Sequence, residues 1–166
     1  MTGPSDAGVT PEAWRAAMGC FPSGVTIITT WRGDAPVGTT ASSFCSVSLT
    51  PPMLLVCLDL ANPALAPIEH CRRFGVNILG AQCVDLALRF ARNPEDDRFA
   101  ELAHRAHREG APQLDAATVF IDCALQQVHE AGDHKIVVGL GVRIDHNPHA
   151  PPLLYHRGEF PRLAGS

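Results

Sequence analysis

Five small residues in a row, Thr39-Thr40-Ala41-Ser42-Ser43, place four hydroxyls on a stretch whose backbone a ligand can approach closely. Such a run supplies hydrogen-bond donors without bulk, and it equally suits an exposed edge strand or a polar turn. Gly132-Asp133-His134 is a second candidate. It reads as a hairpin turn in which Gly adopts φ > 0 and Asp caps the bend, leaving the histidine either incidental or functional. Tyr155-His156-Arg157-Gly158 joins a phenol, an imidazole and a guanidinium, but also fits a plain C-terminal tail. Gly80-Ala81-Gln82 precedes an expected helix, whose unpaired N–H groups can hold a phosphate.

Other chemistries find little support. There is no G-x-S-x-G elbow of the kind that displays a nucleophilic serine. Gly139-Leu140-Gly141 starts like a dinucleotide fingerprint, but it lacks the third glycine and lies inside a strand pattern. The six cysteines, at 20, 45, 57, 71, 83 and 123, include no C-x-x-C pair, so no metal site is expected. They read as reduced, buried, small hydrophobes of a cytoplasmic protein. His104/His107 and His146/His149 are each three apart, without a Cys, Asp or Glu completing a ligand set.

Behind these residues stands a chain of 166 residues, a length that favours one domain. Thirteen Lys and Arg against seventeen Asp and Glu give a net charge of −4, which argues against a nucleic-acid partner. The apolar runs are far shorter than the ~20 residues of a membrane helix, so no membrane association is expected. The opening MTGPSDAGVT has neither a basic nor an apolar signal region, and residues 1–9 read as a disordered tail ahead of a domain at 10–163. Fourteen Gly and fourteen Pro are about 17% of the chain, against roughly 12% on average. That composition points to short strands and many turns.

Strands are expected at 25–31, 37–44, 53–58, 74–79, 119–129, 136–144 and 153–155, with 53–58 buried on both faces. Helices are expected after Thr10-Pro11-Glu12, after Asn62-Pro63 and over 83–91, the last with an Asp85–Arg89 pair. A further helical turn is expected within 97–103. Hairpin links and the lack of βαβ alternation favour a mainly β fold, an antiparallel barrel or sandwich with peripheral helices.

The candidate segments together resemble the short-chain flavin reductases, the reductase components of two-component flavin-dependent monooxygenases. The resemblance rests on Phe21-Pro22-Ser23-Gly24-Val25, Gly38-Thr39-Thr40-Ala41-Ser42-Ser43-Phe44 and Ser46-Val47-Ser48-Leu49-Thr50-Pro51-Pro52. It continues through Phe74-Gly75-Val76-Asn77-Ile78-Leu79, Asp97-Arg98-Phe99, Gly132-Asp133-His134 and Pro152-Leu153-Leu154-Tyr155-His156-Arg157-Gly158. These segments span roughly residues 10–163 in family order. Glu159 departs from the aromatic or basic residue common there in the family.

The resemblance implies an antiparallel Greek-key split β-barrel with a few peripheral helices, acting as a homodimer. It implies FMN or FAD as cofactor and co-substrate, NADH or NADPH as hydride donor, and a monooxygenase that receives the reduced flavin. It places Thr39, Thr40, Ala41, Ser42 and Ser43 along the flavin, continued by Ser46, Val47 and Ser48. Asn77, Leu79, Gly80, Ala81 and Gln82 come near the ribityl chain and phosphate. His134, Tyr155 and Arg157 fall on the nicotinamide side, with His134 positioning the ring rather than acting as acid or base. Gly38 is expected beside the flavin wall, and Arg89 and Arg98 in structural ion pairs. Two alternatives stay open: a flavoredoxin-like electron carrier with tightly held FMN, and a non-catalytic flavin-binding barrel.

Overall fold

The computed structural model describes residues 8–92, 94–106, 109–147 and 150–163. His107, His149 and most of the expected N-terminal tail lie outside the described residues. Helix α1 (Pro11–Met18) begins where Thr10 Oγ1 accepts from Ala13 N at 3.2 Å, with Pro11 and Glu12 in the first turn. Then follow β1 (Ser23–Gly24), β2 (Thr26–Arg32) and β3 (Ala35–Ala41), with Gly33 at φ 60° turning β2 into β3. Next come β4 (Phe44–Leu49), β5 (Pro52–Asp59), α2 (Leu65–Cys71), β6 (Arg73–Leu79) and α3 (Val84–Arg92). The chain ends with β7 (His104–Ala106), β8 (Pro112–Leu114), β9 (Ala117–Ala131), β10 (His134–His146) and β11 (Leu154–Tyr155). The helical turn expected within 97–103 forms earlier, as a 3₁₀ turn over Glu95–Asp97.

Seven strands form one antiparallel sheet in the order β3-β2-β6-β9-β10-β5-β4. Its two edge strands are consecutive in the chain and are joined by Ser42-Ser43 alone. The hydroxyl run therefore ends where the backbone leaves one sheet edge and enters the other. The single strand expected over 37–44 is divided at this point, because Phe44 pairs with Val56 of β5 whereas Ala41 pairs with Thr26 of β2.

Period-2 alternation sorts the core into two clusters. Ile28, Val56, Phe74, Val76 and Cys123 pack beneath α2, whereas Ile27, Leu79 and Leu114 pack against Ala87 and Phe90 of α3. Adjacent Ile27 and Ile28 point into different clusters, so β2 is covered on both faces. Strand β5 is not. Leu54, Val56 and Leu58 are buried while Met53, Leu55 and Cys57 are half-buried, because helix packing covers one face only.

Close packing accounts for two glycines read from the sequence. A Cβ on Gly139 would lie 2.5 Å from Phe74 Cζ and 3.0 Å from Cys123 Cβ, so Gly139 makes room for the aromatic core. A Cβ on Gly38 would lie 2.7 Å from Phe90 Cε1. Gly38 thus seats α3 against β3 and does not open a ligand wall.

The cysteines also depart from expectation. Cys83 and Cys123 are buried, and burial, helped by the Asp122 charge, pushes the Cys123 thiol up to about 12. Cys20, Cys45 and Cys71 are exposed, since they sit after α1, on an edge strand and at the end of α2.

Specific pairs satisfy much of the polar interior. Arg73 Nε and Nη2 donate to Asp122 Oδ1 and Oδ2 at 3.1 and 2.7 Å, and Ala111 N donates to Oδ1 at 3.3 Å. The hydrogen bond to Asp122 raises the Arg73 pKa.

Candidate functional site

The hydroxyl run divides into residues that brace the fold and residues left open. Thr40 Oγ1 donates to Ala87 O of α3 at 2.6 Å, and Thr39 Oγ1 accepts from Asn62 Nδ2 at 3.2 Å. Ala41 O accepts from Thr26 Oγ1 at 2.8 Å. Ser43 Oγ donates to Cys57 O at 2.7 Å and accepts from Cys57 N at 3.2 Å, which fastens the crossing between the sheet edges. The Ser42 hydroxyl has no partner among the described residues, and those of Ser46 and Ser48 are the same. A bulge between Ser46 and Ser48 leaves the intervening Val47 unpaired and half exposed.

The 79–82 segment lies at the same end of the sheet. Thr26 pairs with both Ala41 and Ile78, and Leu79 N donates to Val25 O at 3.0 Å. Gly80 bridges to Pro152, Ala81 N donates to Pro151 O and Leu153 N to Leu79 O, each at 2.9 Å. Gln82 is exposed. Thr118 Oγ1 is buried without a partner, only 2.8 Å from where a Gly80 Cβ would stand. A buried hydroxyl without a protein partner leaves a hydrogen bond that a water or a ligand atom can complete.

Asn77 and Leu79 turn inward instead. Asn77 is fully buried; its Nδ2 donates to Ile27 O and Thr29 Oγ1, both at 3.1 Å, and its Oδ1 accepts from Leu114 N at 2.8 Å. Leu79 belongs to the core under α3. Both residues support the site from beneath, with no side-chain atom left for a ligand. Arg89 and Arg98 also serve the frame, Arg89 through carbonyls rather than the expected ion pair. Arg89 donates to Asp97 O and Ala100 O, and Arg98 Nη1 to Gly38 O at 2.8 Å.

His134 opens β10, opposite Asp59 of β5 and Ala131 of β9, after a turn in which Gly132 has φ 66°. Its Nδ1 donates to Asp133 Oδ1 at 2.7 Å. That hydrogen bond holds the Asp133 carboxyl below its usual range. With Nδ1 engaged by Asp133, Nε2 is the ring nitrogen left to face a ligand. Asp133 is thus a partner whose role was not read from the sequence, although its adjacency to His134 in the motif was a signal.

The C-terminal motif is anchored rather than a free tail. Tyr155 pairs with Ser23, and its ring centroid lies 5.5 Å from that of Phe160. Arg157 N donates to Gly19 O and its Nη2 to Cys20 Sγ, both at 3.2 Å. Because Gly24 pairs with Leu154 and lies two residues before Thr26, Tyr155 is brought toward the end of the sheet that carries Ala41 and Gly80. His134 reaches the same region through β5, where Cys57 meets both Ser43 and Ile136. Two cavities, of about 670 and 770 Å³, lie elsewhere, against α3 and around Trp31 and Arg72.

Three comparisons bear on this arrangement. The profile described as flavin reductase like domain matches residues 18–164. The reductase subunit HsaB of a flavin-dependent monooxygenase from Mycobacterium tuberculosis is 35% identical over 156 residues, covering 93% of this chain and 83% of that protein. A flavin reductase from Pseudomonas putida is 34% identical over 153 residues, covering 92% of this chain and 89% of that one. Among solved structures, the NADH:FAD oxidoreductase SgcE6 of Streptomyces globisporus, in complex with NAD and FAD fragments, superposes with a TM-score of 0.88. It is 32% identical and is matched over 100% of this chain and 98% of that one.

Proposed function

We propose a function from one premise: the chain belongs to the flavin reductase like domain family. It is an NAD(P)H-dependent flavin oxidoreductase that supplies reduced flavin to a partner monooxygenase. Its sheet is read as the family's Greek-key split barrel, a reading supported by edge strands joined through Ser42-Ser43 alone.

The observation that carries the site is the set of open hydroxyls on Ser42, Ser46 and Ser48, together with the orphaned Thr118 hydroxyl under Gly80. These groups fit a flavin, whose flat ring carries carbonyls and ring nitrogens along one edge and whose tail is polar. When bound, the flavin supplies an electron sink for hydride. Ser42, Ser46 and Ser48 hold its polar edge by their hydroxyls. Thr39, Thr40, Ala41 and Ser43 shape the backbone beside it, with Val47 as an apolar surface. Gly80, Ala81 and Gln82 receive its tail, and Asn77 and Leu79 brace that turn from inside. His134, Tyr155 and Arg157 orient the nicotinamide, with Asp133 holding the His134 proton on Nδ1. Hydride transfer between two stacked rings needs alignment more than acid or base.

The test is steady-state NADH oxidation with added FMN or FAD, repeated with NADPH, on the native chain and on His134→Ala. Turnover is expected with free flavin, and His134→Ala is expected to raise KM for the nicotinamide about tenfold and to lower kcat. Flavin affinity should stay within about twofold. Unchanged nicotinamide kinetics in the variant remove His134 from the site.

A homodimer is part of the same reading. Trp14, Met18 and Phe21 are 59%, 51% and 77% exposed on and just after α1, none of whose residues is buried. A second copy would cover such an apolar stripe. Light scattering at micromolar concentration should give a dimer mass, and Phe21→Asp should shift it toward monomer; a monomeric native chain overturns the assignment. A cytoplasmic location is supported by six free thiols, three of them exposed. Among the described residues no helix is long and apolar enough to cross a membrane.

A further inference from the structure

We propose that Asn62 is a positioning residue that fixes His134 relative to the hydroxyl-bearing strand β3. This rests on the assignment of His134 to the nicotinamide side. The loop of residues 59–62 bonds to both halves of the site. Asp59 closes β5 directly opposite His134, and Leu60 N donates to Asp133 O at 3.0 Å. The loop is drawn tight on itself, since Ala61 N donates to Asp59 Oδ1 at 2.7 Å and Asn62 N to Asp59 O at 2.9 Å. From its far end, Asn62 Nδ2 donates to Thr39 Oγ1 at 3.2 Å.

The side chain performs two tasks at once. Its Oδ1 accepts from Ala64 N at 3.0 Å, setting the entry to α2, while its Nδ2 makes the link to β3. An amide carries both an acceptor and a donor, which this double role requires. Pro63 stiffens the next step, and its carbonyl accepts from Arg32 Nη2 at 2.9 Å, so the loop is also tied behind Asn62. Hence a short, braced strut spans from Thr39 to the Asp133–His134 turn. Without the amide link residues 59–62 make no hydrogen bond to β3 among the described residues, and the spacing between the two ring-binding halves is held less tightly, by the Ser43–Cys57 and Arg32–Pro63 bonds. Ring stacking for hydride transfer is sensitive to that spacing.

Three substitutions separate the tasks. Asn62→Ala removes both bonds. Asn62→Ser keeps a hydroxyl able to receive Ala64 N but is too short to reach Thr39. Asn62→Asp keeps the cap and can accept from the Thr39 hydroxyl. NADH oxidation with FMN is measured for each, together with His134→Ala and the Asn62→Ser/His134→Ala double variant. Flavin Kd is followed by fluorescence quenching, and folding by thermal melting. Asn62→Ser is expected to raise KM for NADH about fivefold and lower kcat, with flavin Kd within twofold, the size of one lost hydrogen bond. Asn62→Asp should restore near-native kinetics, and the double variant should be no worse than His134→Ala alone. The proposal is overturned by a rise in flavin Kd with NADH KM untouched, which would make Asn62 a flavin contact, or by additive losses in the double variant. If Asn62→Ala does not fold, the Ser and Asp pair still decides. Unchanged NADH kinetics in His134→Ala would instead overturn the nicotinamide assignment itself.

Discussion

Arg73→Met should destabilise the fold by about 3–5 kcal/mol, the largest loss expected from any single substitution considered for this protein. Asp122 is 1% exposed, and its carboxylate is held by the Arg73 guanidinium fork and one backbone N–H. Removing the fork leaves a charge in the interior between β6 and β9 with a single neutral donor. The side chain of Arg73 is itself 31% exposed, so its replacement by methionine gains little from relieved desolvation and cannot compensate. Urea denaturation at pH 7 should show the loss, and for a chain of this length the melting midpoint should fall by roughly 6–20 °C. Arg73→Lys should recover only part, since an ammonium cannot present the two-pronged geometry. The Arg73→Met/Asp122→Leu double variant should recover most, because no unpaired charge then remains. The pH dependence follows from the sign of the shift. A pKa raised on folding contributes stability that is complete below the unfolded value and lost only as pH rises through the folded one. For Arg73 both lie above the ordinary working range, so titration of Arg73 itself should cost the native chain no stability between about pH 5 and 9. A double variant no better than Arg73→Met would refute the account.

Asn77→Leu should cost about 2–4 kcal/mol while leaving flavin affinity intact at low temperature. The substitution keeps the branched four-atom shape but withdraws the acceptor from Leu114 N and the donors from Ile27 O and Thr29 Oγ1. Thr29 retains its bond to Pro112 O, so the orphaned Leu114 N–H, in a strand whose residues are all buried, dominates the cost. Thermal melting reads the stability and flavin fluorescence quenching at 10 °C reads the site. A tenfold rise in flavin Kd with an unchanged midpoint would show that the Asn77 side chain touches the ligand and that its inward hydrogen bonds carry little.

Asn77 sits inside a family motif, and its amide is chemically suited to a ribityl or phosphate contact. Only the register of β6 against β2 and β9 turns that amide inward. Likewise Thr39, Thr40 and Ser43 look like donors to a ligand when read as a hydroxyl run. In three dimensions they brace α3, the 59–62 loop and β5, and the open hydroxyls are those of Ser42, Ser46 and Ser48. Gly38 follows the same rule, since its lack of a side chain accommodates Phe90 rather than a ring from outside.

What the sequence determined by itself was local or chemical. Alternation in residues 119–144 gave the long hairpin β9–β10, because side-chain period and burial of one face are properties of neighbouring residues. Thr10-Pro11-Glu12 gave the start of α1, because capping is complete within one turn. The order of the motifs gave the family, and with it the class of reaction. What only the tertiary structure decided was the use of each polar atom and the covering of each face. Burial of β2 on both sides, against one side of β5, depends on where helices packed from distant parts of the chain come to rest. The pairing of Asp133 with His134, the Arg73 fork on Asp122 and the Asn62 link to Thr39 depend on side-chain reach and strand register. Hydrogen bonds act over about 3 Å, so which donor meets which acceptor is settled only when the whole sheet is assembled.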